Sequence, residues 1–292
     1  MHEPVLLKET LTLLDPKPGQ IVVDATVGSG GHAREILKRI GSEGRLIAID
    51  EDPEAIQRAQ KNLQAFPGVD YVQNNFSELD KILECLNLSA VNAVLLDVGV
   101  SSEQLEEASR GFSFLKEGPL DMRRDPSRQI SARDLVNDLS QGELENLFRT
   151  YGEERWARRI AAALCRERLE NPIETTQALV EVIKKAVPRR FHFGMRHPAT
   201  RVFQALRIKV NEELAALETA LPKALKALAT GGRLAVISFH SLEDRLVKHT
   251  FRSWAEKDEV RILTRKVVKP GAEEVGRNPR SRSAKVRAVE KK

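Results

Sequence analysis

Residues 21–33 read IVVDATVGSGGHA, and this stretch decides the reading of the whole chain. Ile21, Val22 and Val23 form a short β-branched run closed by Asp24. Gly28, Gly30 and Gly31 follow, and HAREILKRI (32–40) then has helical spacing. The pattern is a strand that passes through a glycine turn into a helix. Glycine lets a backbone take positive φ and come close to a ligand, and the first N–H groups of a helix lack intrahelical partners. Such a turn suits a nucleotide-like ligand.

Working outward, RLIAID (45–50) is a second apolar run ended by an acid. Asp52 is placed to cap a helix with Pro53 at its first position, and Ala55, Ile56, Ala59 and Leu63 fall on one face. VDYVQ (69–73) reads as a third strand and residues 77–86 as a short helix. VNAVLLDV (91–98) reads as a fourth strand, near-continuously apolar as a strand covered on both faces should be. Ahead of all this, residues 3–14 form a short amphipathic helix. The alternation predicts an α/β fold with a parallel, doubly wound sheet and right-handed crossovers.

After Gly99 the pattern changes. Residues 101–133 hold Gly, Pro, Ser and charge clusters without a periodic segment, which predicts a long functional or disordered loop. Helices follow: Ser140 with Glu143 has capping-box spacing, and 155–169 and 175–187 are helical in composition. Residues 211–228 set Leu214, Leu217, Leu221, Leu225 and Leu228 along one face, with Gly231 and Gly232 expected to end that helix. RLAVISF (233–239) resumes the sheet, and the stretches 260–268 and 284–290 complete it as an antiparallel pair at an edge.

With 292 residues, one large domain or two unequal ones are expected. No apolar run approaches the roughly 20 residues that span a bilayer. The start, MHEPVLLKETL, lacks the basic and apolar regions of a secretory signal, so a cytoplasmic protein is expected. Cys85 and Cys165 lack CxxC spacing and read as free thiols, and nothing in the sequence indicates a metal site. The net charge of +5 is modest, but it is concentrated. Lys184 to Lys209 contains eight Lys or Arg and no acid, interleaved with Phe191, Phe193 and Phe203. The tail from Arg265 to Lys292 has ten basic residues against Glu273, Glu274 and Glu290. A single basic run is ordinarily a solvated face; two, beside a nucleotide-type turn, point to nucleic-acid phosphates.

In a doubly wound sheet, ligands bind beyond the carboxyl ends of the strands. Those ends are Asp24, Asp50, Asn74 to Phe76, Asp97, and Ser238 to His240. An acid at one strand end also serves as a cap or turn former. Several converging on one edge suit a ligand, and Asp50, 22 residues after Gly28, suits a carboxylate that accepts from ribose hydroxyls. Gly28-x-Gly30-x-x-Ala33 also satisfies the dinucleotide fingerprint, so an NAD-linked enzyme is a competitor. Against it, Asp24 repels a pyrophosphate but can accept from the ammonium of S-adenosylmethionine.

The segments DATVGSGGHA, AIDEDP, LLDVGVSSEQLEEASRGFSFLKEGPLDMR, TYGEERWARRIA, HPATRVFQALRIKVNEEL and GGRLAVISFHSLEDRLVK closely resemble the bacterial ribosomal RNA small-subunit methyltransferase H family, in matching order over nearly the whole chain. The resemblance implies a class I, Rossmann-like methyltransferase sheet in two parts, 1–104 and 209–292, around an inserted all-helical domain, 105–208. It implies methylation of N4 of a cytidine in the decoding region of 16S rRNA, within the small subunit, with S-adenosyl-L-methionine as cofactor. The cofactor residues it implies are Gly30, Gly31, His32, Asp50, Phe76, Asp97 and Gln104, with Phe76 as an adenine-stacking partner. Asp97 and the backbone at Val98 and Gly99 are expected near the reacting centre, where acceptors for the N4 hydrogens are needed. His240 is the second catalytic candidate, and Glu243 and Asp244 are expected to cap the helix after it, as Ser241 does. Arg190, Arg196 and Arg201 in the helical insertion, with Arg280 and Arg282 in the tail, are expected to meet RNA. Two rivals stay open: a DNA amino-methyltransferase, which needs a loop like Asp-Pro-Pro-Tyr where this chain has DVGVSS, and a non-enzymatic RNA-binding protein, which does not need the acidic strand ends.

Overall fold

The computed structural model describes residues 4–192 and 197–292. The elements run α1 (Leu7–Leu14), β1 (Ile21–Asp24), α2 (Gly31–Ile40), β2 (Arg45–Asp50), α3 (Pro53–Leu63), β3 (Val69–Gln73), α4 (Leu79–Cys85) and β4 (Val91–Asp97). Helices α5 (Ser102–Glu106), α6 (Ala132–Asp138), α7 (Gln141–Gly152), α8 (Ala157–Glu170), α9 (Thr176–Ala186) and α10 (Thr200–Asn211) follow. The chain closes with α11 (Glu213–Ala227), β5 (Leu228–Ser238), α12 (Ser241–Glu256), β6 (Val260–Ile262), α13 (Ala272–Arg277) and β7 (Lys285–Lys291). It divides into two compact units, Met1–Gly99 with Leu214–Lys292, and Val100–Glu213. From sequence the divisions were expected at 104/105 and 208/209.

The first unit is a seven-stranded sheet in the order β3-β2-β1-β4-β5-β7-β6. Strands β1 to β5 are parallel, and β7 runs antiparallel between β5 and β6. Alternate residues feed opposite faces, as the two-residue period of a strand requires. Val22, Leu46, Ala48, Ala93 and Leu95 pack with Ile36, Ile40 and Leu63 of α2 and α3. Val23, Ile47, Ile49, Val94 and Leu96 pack on the other side with Leu217 and Leu221 of α11 and Phe251 of α12. Both faces are therefore dry, which is why the strands read as continuous apolar runs. Chain order reverses between β1 and β4, and the carboxyl ends of these neighbours form the switch-point crevice.

Two local expectations are corrected. Gly231 and Gly232 do not end a helix: α11 stops at Ala227, and these glycines lie inside β5, where the register against β4 shifts between Val91 and Ala93. A glycine pair suits such an irregularity as well as it suits a helix end. The cap of α12 is His240, not Ser241: its Nδ1 accepts from Glu243 N at 3.3 Å, completing a capping box with Glu243.

In the helical unit, Phe148, Ile160, Leu164, Leu179, Ile183, Val202 and Leu206 form one core. The stretch 101–133, read from sequence as a loop without elements, opens with α5, whose Ser101 and Gln104 form a capping box. It then adds Phe112, Leu120 and Met122 to the same core. Arg124 is buried in this unit, its Nη2 2.8 Å from Glu213 Oε1, while Asn211 Oδ1 accepts from Arg124 N at 2.9 Å. These contacts join residues far apart in sequence, so no local period announces them. Gly111, at φ +68°, lets the chain double back: a Cβ there would lie 2.1 Å from Pro119 O and 2.8 Å from Asp121 N. Gly111→Ala is expected to destabilise this unit by roughly 3 kcal/mol, from left-handed strain plus backbone overlap. Urea denaturation followed through Trp156 checks it, and an unchanged midpoint would contradict the predicted clash.

Candidate active site

Strand β1 delivers Asp24 and β4 delivers Asp97 to neighbouring positions, since Asp24 pairs with Leu95, two residues before Asp97. The turn after β1 is tied to both flanking strands. Ala25 N donates to Leu95 O at 2.9 Å, Val27 N to Ile49 O at 2.8 Å, and Asp97 N to Thr26 Oγ1 at 2.7 Å. Thr26 lies between Asp24 and the glycines of the turn. It anchors the end of β4.

Asp50 completes the turn. Its Oδ2 accepts from Gly28 N at 2.9 Å and its Oδ1 from Asp52 N at 3.0 Å. The spacing noted between Gly28 and Asp50 thus has a structural counterpart in the bond from the Gly28 N–H to the Asp50 carboxylate. Gly28 sits at φ +52° with nothing within 4 Å of the place where a Cβ would stand, so the turn opens onto space there. Gly30 is the N-cap of α2, and a Cβ on Gly31 would lie 2.8 Å from Pro4 Cγ. Gly31 therefore receives the N-terminal segment at close range.

His32 is buried, with Nε2 3.0 Å from Val5 O and Nδ1 3.5 Å from Asp97 Oδ2. Asp97 Oδ1 is buried and has no hydrogen-bond partner among the described residues. Burial, with the Asp24 and Glu243 carboxyls nearby, pushes the Asp97 carboxyl well above the usual carboxylate range. Asp24 is 1% exposed. Its carboxyl is pushed up to about 7 by burial, with Asp50 adding to the rise and the Thr26 N–H opposing it. The crevice thus holds carboxyls that shed their protons reluctantly and whose charge a bound cation would stabilise.

The other sequence candidates are distributed as follows. Phe76 begins the turn after β3 and is buried in the core with Leu79 and Ile82. His240 follows β5, and its Nε2 lies 3.0 Å from Glu243 Oε1. Glu243 is buried, and its Oε2 accepts from the backbone N–H groups of Phe239 and His240 at 2.8 and 3.1 Å. Asp244 is drawn to β7, accepting from Arg287 Nε at 2.7 Å and Lys285 Nζ at 3.1 Å. Gln104, in the helical unit, is buried, and its Oε1 accepts from Ser101 N at 3.1 Å. Arg190 is exposed in that unit and Arg201 donates to Glu153 O at 2.8 Å, while Arg280 and Arg282 are exposed in the sheet unit on the turn before β7. Arg196 lies outside the described residues. The structure brings Gly28, Gly30, His32, Asp50 and Asp97 together around the switch point.

Comparison with known proteins gives this crevice its context. The chain is 46% identical to the ribosomal RNA small subunit methyltransferase H of Halothermothrix orenii and 49% identical to that of Geobacter sulfurreducens, each alignment covering 99% of this chain and 98% of the relative. A solved rRNA methylase from Streptococcus thermophilus aligns over 100% of this chain and 98% of its own, with a TM-score of 0.48 and 11% identity. Residues 1–292 match the MraW methylase family, and with relatives of this similarity along its whole length the chain belongs to that family.

Proposed function

We propose that this protein methylates N4 of a cytidine in the decoding region of 16S rRNA, in the cytoplasm and within the small ribosomal subunit. The observation that carries the reading is Asp97 Oδ1, a buried acceptor without a partner at the switch point, beside a glycine turn that opens onto space. Buried polar atoms are nearly always paired, so an orphan at a strand end is a place for a ligand.

The methyl donor is S-adenosylmethionine. It supplies a methyl group already activated by a sulfonium centre. The residues present fit it: Asp24 offers a buried carboxyl for its ammonium, Asp50 sets a carboxylate, the acceptor type that ribose hydroxyls need, against the Gly28 N–H, and Gly28 leaves open room. What remains for the protein is to position the acceptor nitrogen in line and to receive a proton. Cytosine N4 is a poor nucleophile because its lone pair is delocalised into the ring. Asp97 Oδ1, accepting from an N4 hydrogen, favours the pyramidal nitrogen that can attack, and the carboxyl's raised proton affinity suits it to take that hydrogen as the N4–methyl bond forms. His32, beside the other Asp97 oxygen, fixes the carboxyl's orientation.

The test is methyl transfer from labelled cofactor to 30S subunits, naked 16S rRNA and DNA, followed by nucleoside analysis. N4-methylated cytidine from the subunit is expected; label at cytosine C5, at a ribose 2′-OH or only in DNA overturns the proposal. Cofactor and RNA contacts are also separable. Asp50→Ala is expected to weaken cofactor binding about ten- to hundredfold, since it removes charge-assisted bonds of about 1.5–3 kcal/mol from the turn. Arg201→Ala is expected to weaken RNA binding and leave cofactor binding within about twofold. Calorimetry with cofactor and a binding titration with rRNA distinguish them, and equal losses of both ligands in both variants would contradict separate contacts.

A further inference from the structure

Helix α8 opens on three arginines: Arg155 just ahead of the Trp156 cap, and Arg158 and Arg159 in the first turn, with no acid in that turn. A helix N-terminus carries about half a positive charge and favours acids, so this placement costs stability unless an anion answers it. All three side chains are exposed. Two of them lie on aromatic rings. The Arg155 guanidinium is 3.9 Å from the centre of the Phe191 ring and 5.3 Å from that of Trp156, and Arg159 is 5.5 Å from Trp156. Arg190 adds a further guanidinium 4.9 Å from Phe191, and the two rings are 5.5 Å apart.

Among the described residues no carboxylate pairs with Arg155, Arg159 or Arg190. Of the neighbouring acids, Glu153 is exposed and forms no pair with these guanidiniums among the described residues, and Glu154 is buried, its Oε1 accepting from Trp156 N at 2.8 Å. Stacking on ring faces holds a guanidinium plane in place and lowers the entropy lost when its N–H fork meets a partner. A planar fork matches phosphate oxygens two at a time. Several pinned, uncompensated guanidiniums at the positive end of a helix are thus organised for phosphate groups repeated along a chain.

We infer that Arg155, Arg159 and Arg190, held on Trp156 and Phe191, form a phosphate clamp for the backbone of structured RNA. The choice of RNA among polyanions rests on the function proposed above; the clamp itself rests on the arginine and aromatic geometry. The test uses the full chain, without cofactor, and compares the parent with R155Q/R159Q in binding a 16S rRNA fragment over a range of salt. Loss of two phosphate contacts is expected to reduce the steepness of log affinity against log salt by about 1.4 to 1.8. R155K/R159K should keep the parent's steepness and bind several-fold more weakly, because the charge stays and the stacked fork is lost. Coincident melting curves for all three proteins establish that the fold is unchanged. An unaltered slope and affinity in R155Q/R159Q overturns the clamp. So does a loss seen only with inorganic triphosphate in place of RNA, which marks a site for a small phosphate ligand. Methyl transfer by the parent is scored separately: its absence with a reduced slope sinks the methylation proposal alone, and its presence with an unaltered slope sinks the clamp alone.

Discussion

Asp97→Asn is expected to slow methyl transfer by about 10²- to 10⁴-fold, the range that a positioned proton acceptor contributes. Asparagine has the same shape, and the backbone bond from residue 97 to Thr26 Oγ1 is untouched, so β4 should end as before. The amide oxygen can still accept from an N4 hydrogen. It cannot take the proton. The parent's rate should rise with pH as Asp97 ionises, from above the usual carboxylate range because burial, then Asp24 and Glu243, raise it; the variant should lack that rise. Turnover and cofactor affinity, measured together, separate two roles for the same carboxyl. A fall in kcat with cofactor affinity within a few-fold places Asp97 on the acceptor nitrogen. Retained kcat with much weaker cofactor binding would assign it to holding the donor and remove the proton-acceptor role.

Why the sheet was legible and the rest less so is a matter of how local the causes are. Strands β1, β2 and β4 are β-branched or leucine-rich runs closed by Asp24, Asp50 and Asp97, and Asp52 with Pro53 sets the start of α3 through contacts within two residues. Ser140 and Glu143 cap α7 for the same reason. Segment 101–133 failed because Phe112, Leu120 and Met122 are buried by partners many residues away. His240 displaced Ser241 as a cap because Glu243 reaches back to the N–H groups of Phe239 and His240, a choice made by side-chain packing that composition does not express. In the site, Gly28 and Asp50 were legible as a spacing, and the bond from the Gly28 N–H to the Asp50 carboxylate gives that spacing a contact. The orphaned oxygen of Asp97 and the burial of Asp24 were not legible, because both depend on what the folded chain leaves unpaired or excludes from water.

Asp24→Asn is expected to stabilise the protein at neutral and higher pH by on the order of 4 kcal/mol, an effect that vanishes near pH 4. The sign follows from the raised carboxyl. In the unfolded chain Asp24 ionises near 3.8, while in the fold burial holds its proton until about 7. Below the lower value both states are neutral and nothing is lost. Between the two values the unfolded state alone gives up its proton, so stability falls steadily as pH rises; above the upper value the loss is complete and constant. Asparagine carries no titrating group and escapes this fall. Paired carboxylates elsewhere, such as Asp244 with Arg287, respond in the opposite direction, but they are common to both proteins and cancel in the difference. Urea denaturation of parent and variant at several pH values reads the gap directly. A gap that does not widen with pH would show that Asp24 ionises normally in the fold. On the function proposed above, the charged form of Asp24 answers the cofactor's ammonium, so parent affinity for S-adenosylmethionine should increase as pH rises toward 7, and the more stable variant should lose both that increase and much of the affinity.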